Sequence, residues 1–225
     1  MDFVRTFRES WFLLLQGLGV TVVISLISIF FGTIIGFCTS LLGSSRWKIF
    51  RFFSGMYIWV IRGTPMIVQA FIVYFGVPQL VQMIHSGFRI SAEMAGVITL
   101  SLNAGAYLAE IFRGGIAAVD KGQIEAARSL GLSSARTMMK IILPQAIKIA
   151  IPSMVNQFII TVKDTSILSV IGLADLVNKA KVYVGRSYQF FATYIFVAIY
   201  YLVVISILMV ISKYVEKKFN YESKN

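Results

Sequence analysis

Polar side chains that could bind a small solute occur inside two strongly apolar stretches of the chain. Asn103, Tyr107 and Glu110 are spaced i, i+4 and i+7, so they share one face of a helix. The segment 163–166, Lys-Asp-Thr-Ser, has apolar sequence on both sides. A carboxylate accepts hydrogen bonds from an ammonium group, and hydroxyl and amide groups donate to a carboxylate. These residue types therefore indicate the binding of a polar solute.

Each group also has a structural explanation. A polar stripe on a membrane helix can hydrogen-bond to neighbouring helices, and this is the favoured explanation for Glu110, which lies near the membrane edge. Lys163 and Asp164 can neutralise one another as a local pair. An ionisable residue inside an apolar span is nevertheless a candidate for a functional role. For segment 163–166, both interpretations remain open: contact with the solute, and a local pair between Lys163 and Asp164.

No catalytic motif accompanies these residues. The sequence contains no GxxxxGK[ST] phosphate loop, no serine elbow and no HExxH zinc motif. Cys38 is the only cysteine and His85 the only histidine, which excludes an internal disulfide, a cysteine metal cluster and a histidine-rich metal site. Energy for any solute movement must therefore come from an ion gradient or from a separate ATPase.

The composition is that of an integral membrane protein. Of the 225 residues, 57% are hydrophobic and 14% are charged, whereas about a quarter of the residues in a soluble domain are charged. A spanning helix needs about 20 apolar residues, and we predict five such spans at 19–42, 57–84, 92–115, 139–163 and 189–212. We therefore predict an all-α protein with a single transmembrane domain, 1–225, and a five-helix core, 19–215. Residues 1–18 are predicted to be an amphipathic segment at the membrane surface, with a short helix at 1–10.

The second predicted span is interrupted by the tetrapeptide Arg62-Gly63-Thr64-Pro65. Pro65 disfavours helix at Thr64, and Gly63 loosens the same turn. A bend at the membrane surface and a functional role for Arg62 are both compatible with this pattern. The fourth span is expected to bend at Pro144 and Pro152.

A polar segment, 118–138, separates the third and fourth spans. Asp120 can cap a helix, with Gln123 placed as its capping-box partner. Gly131 can end that helix in a left-handed conformation, and Ser133 or Ser134 can begin the next one. The pattern predicts a short helix, a glycine turn and a second helix, which suits either docking of another protein or an ordinary polar connection.

The formal net charge is +11, and the cations lie between the spans. Ten of the 21 belong to the connections after the first and third spans and to the tail: Arg46, Lys48, Arg51, Lys121, Arg128, Arg136, Lys213, Lys217, Lys218 and Lys224. This distribution indicates contact with anionic lipid and orientation of the chain rather than binding to nucleic acid. With five spans, it predicts an external N-terminus, with segment 118–138 and the C-terminus in the cytoplasm.

The polar segment also carries a family signature. From Glu125 to Pro144 the spacing EAA-x3-G-x9-I-x-LP resembles the EAA loop of permease subunits of ATP-binding-cassette (ABC) importers. The segments RGTP, SLNAGAYLAEIFRGGI and VKDTSILSVIG resemble the polar-amino-acid branch of these permeases, which are five-helix proteins of the histidine and glutamine type. The resemblance covers nearly the whole chain.

The resemblance implies a set of partners and a place in the bacterial inner, or plasma, membrane. The partners are two cytoplasmic ATPase subunits that hold ATP and Mg²⁺, an identical or homologous second permease, and an external solute-binding protein. The chain itself would bind no cofactor. Its substrate would be a polar amino acid, with glutamine favoured and arginine, histidine and cystine open.

The resemblance also suggests roles for residues of this chain. The ATPase would dock on the EAA segment, at Glu125, Ala126, Ala127, Leu130, Gly131 and Pro144. The weaker candidates for lining the substrate path are Gln69, Asn103, Tyr107, Asp164 and Thr165. Asp164 would accept from the ammonium group of the amino acid, and Thr165 or Asn103 would donate to its carboxylate.

The alternative function is that of a stand-alone secondary transporter or channel for a small polar solute. Such folds often consist of paired halves with matching broken helices. Only one broken span is recognisable in this sequence, and 225 residues are few for two halves. The ABC importer is therefore the favoured prediction.

Overall fold

The computed structural model describes residues 2–222 and the side chains as far as Lys217. Met1 and residues 223–225, which include Lys224 of the predicted cytoplasmic tail, lie outside the described residues, as does the side chain of Lys218. The described residues form eight helices: α1 Phe3–Gly43, α2 Lys48–Gly63, α3 Met66–Gln82, α4 Ala92–Ala117, α5 Lys121–Ser129, α6 Ser134–Ile171, α7 Leu176–Ser187 and α8 Phe190–Glu222. The all-α prediction is confirmed for this part of the chain.

Four of these helices, α1, α4, α6 and α8, are long and apolar enough to cross a membrane. Helices α2 and α3 pass the same test only as a pair, with a bend of 104° between them. The described residues thus provide four spans, or five if the bent pair counts as one. This count agrees with the five predicted spans.

Helix α1 runs without interruption through the predicted surface segment and the first predicted span. It contains 41 residues, about 60 Å at about 1.5 Å per residue, which is twice the roughly 30 Å of a hydrocarbon core. Asp2 caps it by accepting a hydrogen bond from the backbone N–H of Arg5. Segment 1–18 is therefore not a separate helix, because no proline interrupts the backbone ladder. Its location at the membrane surface stays a prediction.

The interruption of the second predicted span is confirmed. Helix α2 ends at Gly63, and Thr64 and Pro65 are extended, with ψ angles of 145° and 135°. Inside this corner, the amide nitrogen of Gln69 donates to the carbonyl of Ile61 at 2.7 Å and to the Thr64 hydroxyl at 2.9 Å. These hydrogen bonds satisfy a backbone carbonyl and a hydroxyl at the end of α2, where helical N–H donors are no longer available. The corner is therefore a fixed structure.

Helix α4 packs closely against α1 and also contacts α2 and α6. A Cβ atom added at Gly36 of α1 would lie 2.7 Å from Cβ of Leu108 on α4, so only glycine permits this approach. The hydroxyl of Tyr57 on α2 donates to the carbonyl of Leu102 on α4 at 2.6 Å. These contacts place the end of α2 beside α4.

Helix α6 changes its winding twice along its length. A π-helical turn, Met138–Ile142, precedes Pro144, and a 3₁₀ segment, Thr165–Ile171, ends at Gly172 with φ of +85°. Pro152 lies within the intervening α-helical part, Leu143–Asp164. Wider turns commonly accompany proline and functional positions in helices. The predicted fourth span, 139–163, lies wholly within α6.

Candidate functional site

A polar cavity of about 340 Å³ lies where the α2–α3 corner meets α4 and α6. Its volume is within the roughly 300–1,000 Å³ of small-molecule sites. Apolar side chains complete the wall, and its polar lining consists of Arg62, Thr64, Asn103, Tyr107, Gln157 and Asp164. The cavity combines a guanidinium, a carboxylate, amides and hydroxyls, so it can bind both an anionic and a cationic group.

Three of the five residues predicted for the substrate path lie in this wall. Asn103 and Tyr107 come from α4, where they are one turn apart, and Asp164 comes from the end of the α-helical part of α6. The predicted shared face of 103 and 107 is thus directed to the cavity. Packing of α6 against α4 brings Asp164 to the same space.

Gln69 and Thr165 are not in the wall. Gln69 is 8% exposed, and its amide nitrogen is bound within the α2–α3 corner. Thr165 is fully buried, and its hydroxyl donates to the carbonyl of Val162 at 2.8 Å. Both residues support the backbone behind the cavity, so the donor role suggested for Thr165 has no support from its position.

Gln157 was not among the residues predicted for the substrate path, and a functional role for Arg62 was one of two interpretations. Gln157 precedes Asp164 by seven residues, which places both on one face of α6, and this spacing is the signal that could have identified it. The only sequence signal for a role of Arg62 in the cavity was its position beside a helix break. Its surroundings depend on packing between α2 and α4.

Arg62 belongs to a charged network at one side of the cavity. One of its terminal nitrogens forms an ion pair with Oε2 of Glu110. Oε1 of the same carboxylate pairs with Arg113 at 2.7 Å. The guanidinium carbon of Arg62 also lies 4.9 Å from the centre of the Tyr107 ring, within the range of a cation–π contact. The interhelical pairing expected for Glu110 is therefore present.

A second candidate site is the exposed segment around α5. Asp120 caps α5 by accepting from the backbone N–H of Gln123 at 3.2 Å. Gly131 has φ of +79°, and Leu132 N–H donates to Ala127 O at 3.1 Å, as in a Schellman ending. The predicted cap and glycine stop are confirmed.

Two details of this segment were not fixed by the sequence. Ser133, and not Ser134, caps the next helix by accepting from the N–H of Arg136. The side chain of Gln123 accepts from Nε2 of Gln145 on α6 at 2.6 Å. This bond joins α5 to α6, so Gln123 serves a tertiary contact instead of the predicted capping box.

Most of the predicted docking residues, on α5, after its end and on α6, are exposed to solvent. Glu125, Ala126, Gly131 and Pro144 are exposed, and Leu130 is 81% exposed. Ala127 is 5% exposed and faces the bundle, where a small apolar cluster anchors the segment. The buried members of that cluster are Val119, Ile142 and Ala146. One face of α5 is thus anchored, and Glu125 and Ala126 on the other face are exposed.

Comparison with known proteins gives a match over most of the chain. The family model described as "binding-protein-dependent transport system inner membrane component" matches residues 28–221. The chain is 40% identical over 218 residues to the arginine transport system permease protein ArtQ of Bacillus subtilis (strain 168), and the match covers 97% of both chains. It is 35% identical over 217 residues to a putative glutamine transport system permease protein, GlnP, of Rickettsia conorii, with 96% of this chain and 97% of the relative covered.

A solved structure agrees with the fold as well. It is described as a crystal structure of an amino acid ABC transporter with histidines, and its matching chain is 38% identical to this one. The TM-score is 0.89, with 97% of this chain and 99% of the other covered. The structural match therefore covers nearly the whole of both chains.

Proposed function

Because the chain belongs to the family of inner membrane components of binding-protein-dependent transport systems, we propose that it is the permease subunit of an ABC importer for a polar amino acid. As a family member with several apolar spans, it is a multi-pass protein of the inner membrane. The observation that carries the substrate proposal is the cavity at the α2–α3 corner. Family membership also disfavours the stand-alone secondary transporter or channel.

The cavity wall suits a zwitterion. Asp164 is the only carboxylate among the lining residues, and it would accept hydrogen bonds from the α-ammonium group. Asn103 and Gln157 offer amide groups, each able to donate and to accept. A cationic side chain would need a second carboxylate for itself, whereas an amide side chain would pair with Asn103 or Gln157. This argument favours glutamine over arginine as the substrate.

The exposed face of α5 would bind a separate ATPase, which holds ATP and Mg²⁺. Glu125, Ala126, Leu130 and Gly131 offer one charge, small surfaces and one exposed apolar side chain. Helix α5 contacts α6 through the Gln123–Gln145 hydrogen bond and the Val119 cluster, and α6 carries Gln157 and Asp164. Movement of the ATPase would thus reach the cavity through a single helix.

The complete importer would contain two copies of this ATPase, a second permease of identical or homologous sequence, and an external solute-binding protein. ATP binding and hydrolysis would move the two permeases between inward-open and outward-open arrangements, which are the two packings of a bistable interface. The positive-inside rule places α5 and the C-terminus in the cytoplasm and the N-terminus outside. This orientation puts the docking face on the side where ATP is available.

Co-purification from the native membrane tests the docking proposal. We expect the tagged wild-type chain to bring an ATPase subunit with it, and Glu125→Arg to lose that subunit, because charge reversal opposes the partner surface. Glu93→Arg is the matched control, since Glu93 is an exposed glutamate at the far end of α4, and it should retain the ATPase. Equal ATPase recovery from the wild type and Glu125→Arg would contradict the proposed docking face.

A further inference from the structure

The Arg62 network contains more positive than negative charge. Arg62 and Arg113 both pair with the one carboxylate of Glu110, through its two different oxygens. The three side chains therefore carry a formal surplus of one positive charge. Arg62 lines the cavity and Arg113 does not, so the part of the network that faces the cavity is a cation.

The guanidinium of Arg62 retains unused hydrogen-bond donors. A guanidinium has five N–H donors in a planar fork, and Glu110 engages one terminal nitrogen of Arg62. Its side chain is 38% exposed, and within the part of the chain that the structure describes it forms no other ion pair. The remaining donors are available to a ligand in the cavity.

The orientation of Arg62 is fixed before any ligand binds. Glu110 holds one end of the fork, and the face of the Tyr107 ring lies under the guanidinium plane at 4.9 Å. Both contacts come from α4, one turn apart, so they act as a rigid support for a side chain of α2. Preorganisation of this kind lowers the entropy lost when a ligand is bound.

We propose that Arg62 binds the α-carboxylate of the transported amino acid, opposite in charge to Asp164, and that Glu110 and Tyr107 are its positioning residues. This inference rests on the proposed function. A guanidinium matches a carboxylate with two parallel hydrogen bonds, which a neutral amide donor cannot provide. With Arg62 on the carboxylate and Asp164 on the ammonium group, Asn103 and Gln157 are left to contact the side chain of the amino acid.

A purely structural role would give Arg62 a different environment. An arginine that only joins α2 to α4 needs its ion pair and no access to a cavity. Arg62 lies in the wall that also contains Asn103, Gln157 and Asp164, and its ion pair is shared with Arg113. The test must therefore measure recognition of a carboxylate and not merely stability.

The experiment measures binding to the purified permease–ATPase complex with radiolabelled L-glutamine and L-arginine as probes. Each probe is displaced by its unlabelled acid and by its α-carboxamide, L-glutaminamide or L-argininamide. The readout is the ratio of amide to acid dissociation constants. The fraction of folded protein does not affect this ratio. Arg62→Gln is compared with Arg62→Lys and with Arg51→Gln, an exposed arginine on the same helix that is distant from the cavity.

In the wild type we expect the acid to bind about 10- to 100-fold more tightly than the amide, as hydrogen bonds to charged groups imply. Arg62→Gln should reduce this ratio to about one, because it weakens binding of the acid and has little effect on binding of the amide. Arg62→Lys should give an intermediate ratio, because lysine keeps the charge without the fork. Arg51→Gln should keep the wild-type ratio.

Two results would overturn the inference. One is a wild-type ratio near one, and the other is a ratio in Arg62→Gln equal to that of the wild type, as an equal loss of acid and amide binding would give. In each of these cases a wild-type complex that binds the free amino acid leaves the proposed function standing. If the wild-type complex binds neither probe, the proposed substrate class itself is wrong, and the role of Arg62 fails with it.

Discussion

The cavity at the α2–α3 corner and the exposed segment around α5 are organised in opposite ways. The shape of α5 comes from neighbours in sequence: Asp120 caps it, and Gly131 ends it eleven residues later. The polar wall of the cavity comes from three helices that are far apart in sequence, α2, α4 and α6, and from the corner that follows α2. A docking surface can therefore be formed by residues close together in the sequence, whereas a binding cavity requires correct packing of the whole bundle.

Two kinds of substitution should separate these regions. A change in the cavity should alter ligand recognition and leave ATPase docking intact. A change in the α5 segment should alter docking and leave ligand recognition intact.

The largest effect is expected from Asp164→Ala. Removal of the only carboxylate in the cavity wall leaves the substrate ammonium group without an ionic acceptor, and charged hydrogen bonds contribute about 1.5–3 kcal/mol. ATP-dependent uptake of labelled L-glutamine into vesicles should fall about 10-fold or more, while the ATPase still co-purifies. Ser166→Ala on the same segment is the control. Unchanged uptake and unchanged substrate preference in Asp164→Ala would remove this residue from the path.

A smaller effect is expected from Gly131→Ala. Gly131 has φ of +79°, and a left-handed conformation costs a residue with a side chain roughly 1–2 kcal/mol. The end of α5 should shift, so ATPase co-purification should weaken while L-glutamine binding to the chain is retained. Gly114→Ala is the control, because Gly114 is helical and a Cβ there meets no atom within 4 Å. Equal weakening by both variants would show that the glycine turn has no special part in docking.

The smallest effect is expected from substitution of Asp175, a helix cap that depends both on neighbours in sequence and on tertiary packing. Asp175 caps α7 locally by accepting from the N–H groups of Val177 and Asn178. Packing against α1 buries it, since Leu176 N–H donates to the Thr21 hydroxyl at 3.2 Å. Burial raises the pKa of Asp175 to about 6, against the opposing effect of its backbone hydrogen bonds.

The raised pKa of Asp175 gives a pH dependence with a definite sign. The folded state binds this proton more tightly than the unfolded state, so its contribution to stability rises as pH falls from above about 6 toward 4. Asp175→Asn keeps a capping oxygen and should flatten this part of the profile of Tm against pH in detergent. Asp175→Ala should lower stability by about 1 kcal/mol at every pH through loss of the cap. The same change in Tm between pH 7 and pH 5 in the wild type and in Asp175→Asn would contradict the assignment.

Much of the exposed segment could be predicted from the sequence. Caps and glycine stops depend on residues within one turn of one another, so Asp120 and Gly131 were identified by type and spacing alone. The corner at Thr64 and Pro65 was predictable for the same reason, because a proline restricts the residue before it. Gln123 is the exception in this segment. Its partner Gln145 lies on another helix and was invisible to local rules.

Three of the five residues predicted for the substrate path line the cavity, and the other two lie outside its wall for a common reason. Asn103, Tyr107 and Asp164 were identified because polar residues are costly in apolar spans. Gln69 and Thr165 have the same chemistry, yet backbone carbonyls near them accept from the Gln69 amide nitrogen and the Thr165 hydroxyl. Which polar groups face a cavity and which satisfy a buried backbone depends on how the helices rotate and pack. Spacing along one helix cannot show this.

The sequence by itself determined the all-α membrane fold, the break at Thr64–Pro65 and the capped helix after α4. These features follow from apolar length and from bonds between near neighbours. Only the tertiary structure decided that α1 is one helix of 41 residues and that Gln157 faces the cavity. It also decided that Arg62 and Arg113 share the carboxylate of Glu110. Those features depend on close approach between distant segments, which side-chain packing fixes and residue spacing does not.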